Sequence, residues 1–378
     1  MLAGAAVLAL ALGRSWAHWT AAAASAALGV ATLRWGTAVL AAWAPLASGT
    51  RVTLLDVPAP AAKVIALDPS ARRLALSPSA KQFAIQVGRS RSGLPYRFVL
   101  GNFTGEQQPT SAYDVTFLDD SMALLLGPTA SGLDLRLMSV DLTDALPPPV
   151  WSIALPPIYM PRLSADAVSG IWTVVGWQPE DADAISVAGR LGEGMSEIKR
   201  WSIPGADANA SFFYLPETKT AFLVTPTKLA YGAALLSRLA GVPERRWELR
   251  KLDGTQGATL AVTAAPLACL DPLPRDTTLL CLAQQATHTV VWSVDGRSGR
   301  LSEIGAVPSF RWVLSSSTHL RFIMGDGTVL QTTRGGRGGT RFTPTEPGDI
   351  VEVSNAENHI AMLRRSGKDV RLSLYESR

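Results

Sequence analysis

TTLLCLAQQATHTVVWSVDGRSGRLSEIG, residues 277–305, is the stretch that decides the fold. Apolar runs alternate there with polar or glycine-rich turns, and this pattern predicts three short strands at Thr278–Ala283, Thr289–Val294 and Arg300–Ile304. The middle strand ends at Asp295 and leads into a Gly-Arg-Ser-Gly turn. Short strands joined by tight turns indicate an antiparallel sheet, in which consecutive strands are neighbours.

The same element recurs along the chain. A polar turn followed by an apolar second strand is found seven times, and these second strands begin near Gln82, Met122, Ile171, Thr220, Thr278, His319 and His359. Their starts lie 40 to 58 residues apart, which is close to the ~40–50 residues of a four-stranded propeller blade. The repeat therefore predicts an all-β domain over residues 49–378, a β-propeller of seven blades, with six or eight as the alternatives.

A third strand is predicted after each of these second strands, at residues 96–103, 133–142, 196–203, 245–253, 288–295, 327–333 and 369–376. Two repeats are longer than the others. We interpret their extra residues, Gln178–Met195 and Pro226–Glu244, as insertions between the second and third strands.

Three segments resemble the WD40-like and quinoprotein-like (PQQ-like) propeller superfamilies. They are VVWSVDGRSGRL (290–301), LRKLDGTQGATL (249–260) and LMSVDLTDALPPPVWSIAL (137–155), and they look like the Asp–x–x–x–Gly hairpin between the two outer strands of a blade. The resemblance covers roughly residues 51–378. It implies a disc-shaped scaffold of the kind that commonly binds other proteins.

A propeller must close its ring, because open sheet edges favour aggregation. The last repeat ends soon after its third strand and lacks an outer strand, whereas RVTLLDV (51–57) is a strand-like run without a partner. We therefore predict that Val52–Val57 pairs with Val370–Tyr375 and closes the ring. The segment Ala62–Asp68 has no clear place in this scheme.

Residues 1–48 are almost entirely apolar, and Arg14 and Arg34 are their only charged residues. As a helix, Thr20–Leu46 would be roughly 40 Å long at ~1.5 Å per residue, enough to cross a ~30 Å hydrocarbon core. Met1–Leu12 is a second, shorter apolar run, so the segment is predicted to be a membrane anchor with one or two spans. A cleaved signal peptide and a buried helix are the alternatives.

The chain contains two cysteines, Cys269 and Cys281. They lie on the first two strands of the fifth repeat, symmetrically about a turn near Arg275, and can therefore face each other across antiparallel strands. Either they form a disulfide, which predicts an oxidising compartment and a propeller outside the cytoplasm, or they are two buried thiols.

The insertion KLAYGAALLSRLAGVPERRW (228–247) has the leucine spacing of a short helix. One interpretation is a helix that contacts the membrane or a partner, and the other is a loop helix packed on the disc. The predicted contact residues are Leu229, Leu235, Leu236, Leu239, Arg245 and Arg246.

No segment carries a motif for catalysis, metal binding or nucleotide binding, so no catalytic residue and no cofactor are predicted. The net charge of +4 gives no basic face for nucleic acid. The composition, rich in Ala, Leu, Gly and Arg, is typical of a GC-rich bacterial genome. We predict a scaffold in the cell membrane that binds membrane-associated proteins, for example in a transporter or envelope complex. The alternative is a ligand-binding or enzymatic propeller that uses its central channel.

Overall fold

The structure is a computed structural model. It describes residues 57–59, 61–88, 96–130, 132–140, 142, 148–178, 183–203, 210–228, 245–253, 256–285, 287–334 and 339–376. The described chain forms strands throughout, arranged in seven sheets around a central channel. The prediction of a seven-bladed β-propeller is confirmed.

The two N-terminal strands are β1 (Val57–Ala59) and β2 (Lys63–Leu67). Blade 1 contains β3 (Arg72–Leu76), β4 (Gln82–Val87), β5 (Tyr96–Asn102) and β6 (Gln107–Ala112). Blade 2 contains β7 (Asp114–Phe117), β8 (Met122–Thr129), β9 (Gly132–Ser139) and β10 (Trp151–Leu155). Blade 3 contains β11 (Tyr159–Asp166), β12 (Ile171–Trp177), β13 (Ala184–Arg190) and β14 (Gly194–Trp201).

Blade 4 contains β15 (Ser211–Leu215), β16 (Thr220–Lys228), β17 (Arg245–Asp253) and β18 (Gln256–Thr263). Blade 5 contains β19 (Leu267–Cys269), β20 (Thr278–Gln284), β21 (His288–Asp295) and β22 (Leu301–Pro308). Blade 6 contains β23 (Trp312–Ser315), β24 (His319–Ile323), β25 (Val329–Thr333) and β26 (Gly339–Pro344). Blade 7 contains β27 (Asp349–Asn355), β28 (His359–Ser366) and β29 (Asp369–Glu376), with β2 as its outer strand.

The second strand of each blade lies between two neighbouring strands and has both faces covered by adjacent blades. It is therefore an almost continuous apolar run, such as QFAIQV in β4 or TLLCLAQ in β20, in place of an alternating pattern. The seven second strands begin at the predicted residues, because this burial makes them the clearest signal in the sequence.

The closing strand differs from the prediction. β2 pairs with β29 in antiparallel register, with Lys63 opposite Leu374 and Leu67 opposite Val370. The segment that had no clear place therefore closes the ring, and the predicted pairing of Val52–Val57 with Val370–Tyr375 is wrong. Val57 instead begins β1, which adds to the edge of blade 6 in parallel with β26.

Blade 3 also differs. The supposed insertion Gln178–Met195 contains a complete buried strand, β13, and the predicted third strand at 196–203 falls on the outer strand β14. The residues of β13, AISVAGR, have mostly small, uncharged side chains. Gly189 lies so close to Gly194 that a Cβ on it would come within 2.1 Å of the Gly194 carbonyl oxygen. Because these side chains are small, β13 does not resemble the third strands of the other blades, which carry bulkier residues, and the sequence did not identify it as a strand.

Polar side chains also join adjacent blades. Arg321 is 1% exposed; its Nη1 donates to the Ala356 carbonyl at 2.9 Å and its Nη2 to the Glu357 carbonyl at 2.6 Å. Its Nε donates to Gln331 Oε1 at 2.6 Å. Desolvation lowers the pKa of Arg321 to about 10. The guanidinium thus joins blade 6 to blade 7 through two backbone carbonyls.

Candidate functional site in the central channel

All seven inner strands run in the same direction. Each blade has four antiparallel strands, so its outer strand ends on the face where its inner strand began. Most links to the next blade are short, such as the single residue between β6 and β7, and cannot cross the disc. We call the face where inner strands begin the upper face, and the opposite one the lower face.

The upper half of the channel contains two enclosed carboxyl groups on either side of an arginine. Asp114 begins the inner strand of blade 2; its Oδ2 accepts the Leu163 N–H of blade 3 at 3.0 Å. Glu352 lies on the inner strand of blade 7, and Arg73 on that of blade 1 between them. Burial raises the pKa of both carboxyl groups, and the positive charge of Arg73 opposes that rise in each case. Three adjacent blades therefore contribute to one charged cluster.

A β-bulge directs Arg73 into this position. The register between β3 and β4 shifts between Arg72 and Leu74, and Arg73 has a left-handed backbone with φ of 41°. Such a conformation is uncommon for a residue other than glycine, and bulges redirect side chains next to functional sites.

The lower half of the channel is occupied by residues 270–277, which we call the channel loop. The inner strand of blade 5 ends at Cys269, and the chain then crosses blade 4 to reach blade 3. Asp271 forms an ion pair with Arg162, and Ser164 Oγ donates to the Pro272 carbonyl at 3.1 Å. Arg275 Nε lies 3.7 Å from Asp166 Oδ1.

A turn in the channel loop connects it to blade 6 as well. The Asp276 N–H donates to the Leu273 carbonyl at 2.9 Å, with Pro274 at the second turn position, where its fixed φ is favoured. Arg334 of blade 6 then donates to both Asp276 carboxylate oxygens, at 2.5 and 2.9 Å. Contacts of one loop thus link blades 3, 5 and 6.

The two cysteines lie at the base of the channel loop. Cys269 and Cys281 are register partners on β19 and β20, and the structure joins them by a disulfide. The neighbouring Leu270 N–H donates to the Leu280 carbonyl at 2.9 Å, so the cysteines occupy the adjacent narrow, non-hydrogen-bonded pair, where Cβ atoms lie closest. They pack against Phe213 and other apolar side chains between blades 4 and 5.

The predicted contact residues lie elsewhere. Arg245 and Arg246 are the first residues of β17, and Arg245 is paired with Lys228 at the upper end of blade 4. The two ends of the segment 228–247 are therefore strand, as the predicted third strand at 245–253 requires. Leu229, Leu235, Leu236 and Leu239 lie outside the described residues, between these two strand ends.

The predicted membrane anchor, residues 1–48, also lies outside the described residues. Within the ranges given above, the structure contains no helix with the length and hydropathy of a membrane span. Nor do three or more His, Cys, Asp or Glu side chains gather into a metal-binding group in that part of the chain.

Sequence reasoning did not find the channel residues Arg73, Asp114, Arg162, Asp271 and Glu352. They come from five different blades, and none belongs to a local motif. The one signal near them is the charged, proline-containing segment between the two cysteines, which we interpreted only as a turn.

No protein-family model matches the chain, and no curated protein sequence matches it either. Among solved structures it is similar to the β-propeller domain of the Trilobed protease from Pyrococcus furiosus, described as having an open velcro topology. That likeness has 10% identity and a TM-score of 0.50, over 82% of this chain and 95% of that one. The Pyrococcus horikoshii acylaminoacyl peptidase has 10% identity and a TM-score of 0.48, over 80% of this chain and 51% of that one. The WD40 domain of Toxoplasma gondii coronin has 12% identity and a TM-score of 0.44, over 85% and 88%. Likeness at this level of identity concerns the fold alone: the chain is a seven-bladed β-propeller.

Proposed function

We propose that this chain is a membrane-anchored β-propeller that binds protein partners and catalyses no reaction. The proposal rests mainly on the channel, which the chain's own residues partly fill. Its lower half is occupied by the chain's own loop, whose acidic groups are paired with Arg162 and Arg334. The cavity beside that loop measures about 30 Å³, far less than the ~300–1,000 Å³ of typical small-molecule sites.

The upper rim of blade 3 supplies a surface for a partner. Tyr159 is 53% and Met160 is 65% exposed at the start of β11. Met160 has a left-handed φ of 50°, and the register with β12 is interrupted there. Tyr and Met are enriched in protein interfaces, and strained backbone is concentrated at functional sites. These features favour the upper rim as the contact surface.

Residues 1–48 supply the membrane attachment in this proposal, through their almost entirely apolar composition. A disulfide at Cys269 and Cys281 favours an oxidising compartment, hence a propeller outside the cytoplasm. Tethering raises the effective concentration of a module next to its membrane partners. A bacterial transporter or envelope complex is the host that fits these properties.

The test is affinity purification of the full chain from detergent-solubilised membranes. We expect one protein partner in near-stoichiometric yield, and at least a tenfold lower yield after Tyr159→Ser with Met160→Ser. Val64→Ser with Val262→Ser is the matched control, because both valines are exposed on outer strands. Equal recovery by the rim variant would contradict the contact surface. Turnover of a small molecule without any partner would contradict the scaffold.

The second candidate is a ligand-binding or enzymatic site in the upper channel. It is favoured by Asp114 and Glu352, because carboxyl groups with raised pKa values serve as general acids or bases near neutral pH. Turnover that disappears in both Asp114→Asn and Glu352→Gln, and persists in the exposed-site control Asp349→Asn, would establish this candidate.

A further inference from the structure

A cavity on the channel wall has the properties of a binding site. It lies between blades 3 and 4 and is lined by Arg162, Ser164, Thr173, Phe213, Asp271 and Pro272, among others. Its volume of about 30 Å³ corresponds to about two water molecules. This is also the space that the two oxygens of one carboxylate group need.

One buried hydroxyl at this cavity has no hydrogen-bond partner among the described residues. Thr173 is 4% exposed, and its Oγ1 forms no hydrogen bond with any other part of the chain that the structure describes. Buried hydroxyl groups almost always have a partner. The Ser164 hydroxyl, opposite Thr173 in the register of β11 and β12, already donates to Pro272. Thr173 therefore offers a free donor to whatever occupies the cavity.

The positive charge beside this hydroxyl is held firmly, but its carboxylate partner is not. Arg162 donates to the Phe212 carbonyl, and its guanidinium lies 5.0 Å from the centre of the Phe213 ring. The Asp271 side chain is 60% exposed, against 35% for Arg162. Ion pairs of such exposure contribute little and exchange readily. Another carboxylate can therefore compete with Asp271 for the guanidinium, whose planar donors match a carboxylate.

We infer that this cavity binds the carboxylate group of an acidic ligand, which replaces Asp271 on Arg162 and accepts a hydrogen bond from Thr173. Asp271 is then the resident carboxylate that occupies Arg162 until the ligand arrives. The inference rests on the proposed function only for the source of that group, which we assign to an acidic side chain or the C-terminus of the protein partner.

The cavity itself is tested with acetate, on the purified full chain in detergent, at constant ionic strength set with chloride. We expect Asp271→Asn to bind acetate at least tenfold more tightly than the unaltered protein, because the competitor is gone. Arg162→Gln should abolish acetate binding, whereas the control Arg200→Gln, at an exposed arginine of the same blade, should not change it. Inorganic phosphate, which is larger, should bind at least tenfold more weakly than acetate.

Thr173→Val separates a ligand site from a simple packing defect. If the inference is correct, this variant binds acetate several-fold more weakly while it remains folded. Unchanged acetate affinity in Thr173→Val, or equal affinity in Asp271→Asn and the unaltered protein, would overturn the inference.

The source of the carboxylate is tested by adding acetate to the affinity purification. Release of the recovered partner by acetate, and not by chloride, supports a partner carboxylate in the cavity. A partner that remains bound while acetate occupies the cavity shows that the ligand is a free small acid, which overturns the assigned source. Failure to recover a partner contradicts the proposed function and leaves the acetate result standing for the cavity.

Discussion

Replacement of both cysteines, Cys269→Ala with Cys281→Ala, should lower the stability of the propeller by a measurable amount. The disulfide joins residues 12 positions apart and closes the chain around the channel loop. Without it, the unfolded chain regains the conformational freedom that the cross-link removes. The folded state also loses two sulfur atoms from the apolar cluster between blades 4 and 5.

The magnitude follows from loop closure. A cross-link over this short separation is worth about 3 kcal/mol in the chain-entropy relation, and the lost sulfur packing adds about 1 kcal/mol. For a domain of roughly 300 residues, the entropy of unfolding makes 1 kcal/mol equivalent to about 1.5 °C in Tm. We therefore expect a decrease in Tm of about 6 °C in the double variant and about 4.5 °C for the reduced protein.

The assay is thermal unfolding of the full chain in detergent, with and without a thiol reductant. The reductant should lower the Tm of the unaltered protein and leave that of the double variant unchanged, which is the internal control. Hydrogen exchange should also increase in the channel loop, because its base is no longer cross-linked.

Two free thiols in the folded, non-reduced protein, measured by mass spectrometry, would refute this reasoning. So would equal Tm values in the unaltered protein and the double variant. Either result would also remove the argument for an oxidising compartment.

Three further changes test other parts of the fold. Gly189→Ala should lower the free energy of unfolding by about 3 kcal/mol or prevent folding, because the new Cβ would lie 2.1 Å from the Gly194 carbonyl oxygen. Soluble yield and Tm measure this effect, and an unchanged Tm would contradict the packing of β13. Arg321→Met should lower the free energy of unfolding by about 3 kcal/mol, since two buried acceptors and one part-buried acceptor lose their donor. Denaturant unfolding measures this, and a loss below about 1 kcal/mol would show that the contact between blades 6 and 7 does not depend on Arg321. Asp114→Asn tests pH dependence. The raised pKa of Asp114 means that the folded protein favours the protonated form of this carboxyl group. The free energy of unfolding therefore decreases as the pH rises from the pKa of Asp114 in the unfolded chain to its pKa in the folded protein. The Tm of the variant, relative to the unaltered protein, should therefore be higher at pH 7 than at pH 4, and the opposite trend would contradict the enclosed position of this carboxyl group.

The blade count could be predicted from the sequence because the second strands are covered on both faces. Full burial requires an apolar side chain at nearly every position, as in MALLL of β8 or HIAML of β28. Each such run is local, so it can be recognised without knowledge of its neighbours.

The closing strand could not be predicted in the same way. β2 is an outer strand whose apolar run, Val64–Leu67, is exposed or half-buried, with Val64 at 45% exposure, so the run does not indicate which strand it pairs with. RVTLLDV was chosen because it was a strand-like run without a partner, although the ring is closed by β2, whose partner is about 300 residues away. Pairing between strands so far apart in the chain produces no recognisable pattern in the sequence of either strand.

The channel site was missed for a related reason. Its charged residues are scattered over inner strands, and a single Asp or Arg in a strand is usually a solvated side chain. These residues form a cluster only because the ring brings the inner strands together. The bulge at Arg73 could not be predicted either, because its left-handed position is occupied by an arginine and not by a glycine.

The channel loop explains why the fold and the proposed function fit together. It links blades 3, 5 and 6 across the lower half of the channel. In the proposed function, a ring with this loop in its channel presents its outer and rim surfaces to partners. Such a ring has the properties of a scaffold, in which binding energy is not spent on ordering loops.

Photo-crosslinking in native membranes tests the partner-binding claim most directly. A benzophenone amino acid is introduced at Met160 on the upper rim and, separately, at Val168 on the lower face, which is 83% exposed. We predict a covalent adduct with one protein from position 160 and none from position 168. Adducts at neither position, or the same adducts at both, would contradict a scaffold that binds its partner through the upper rim of blade 3.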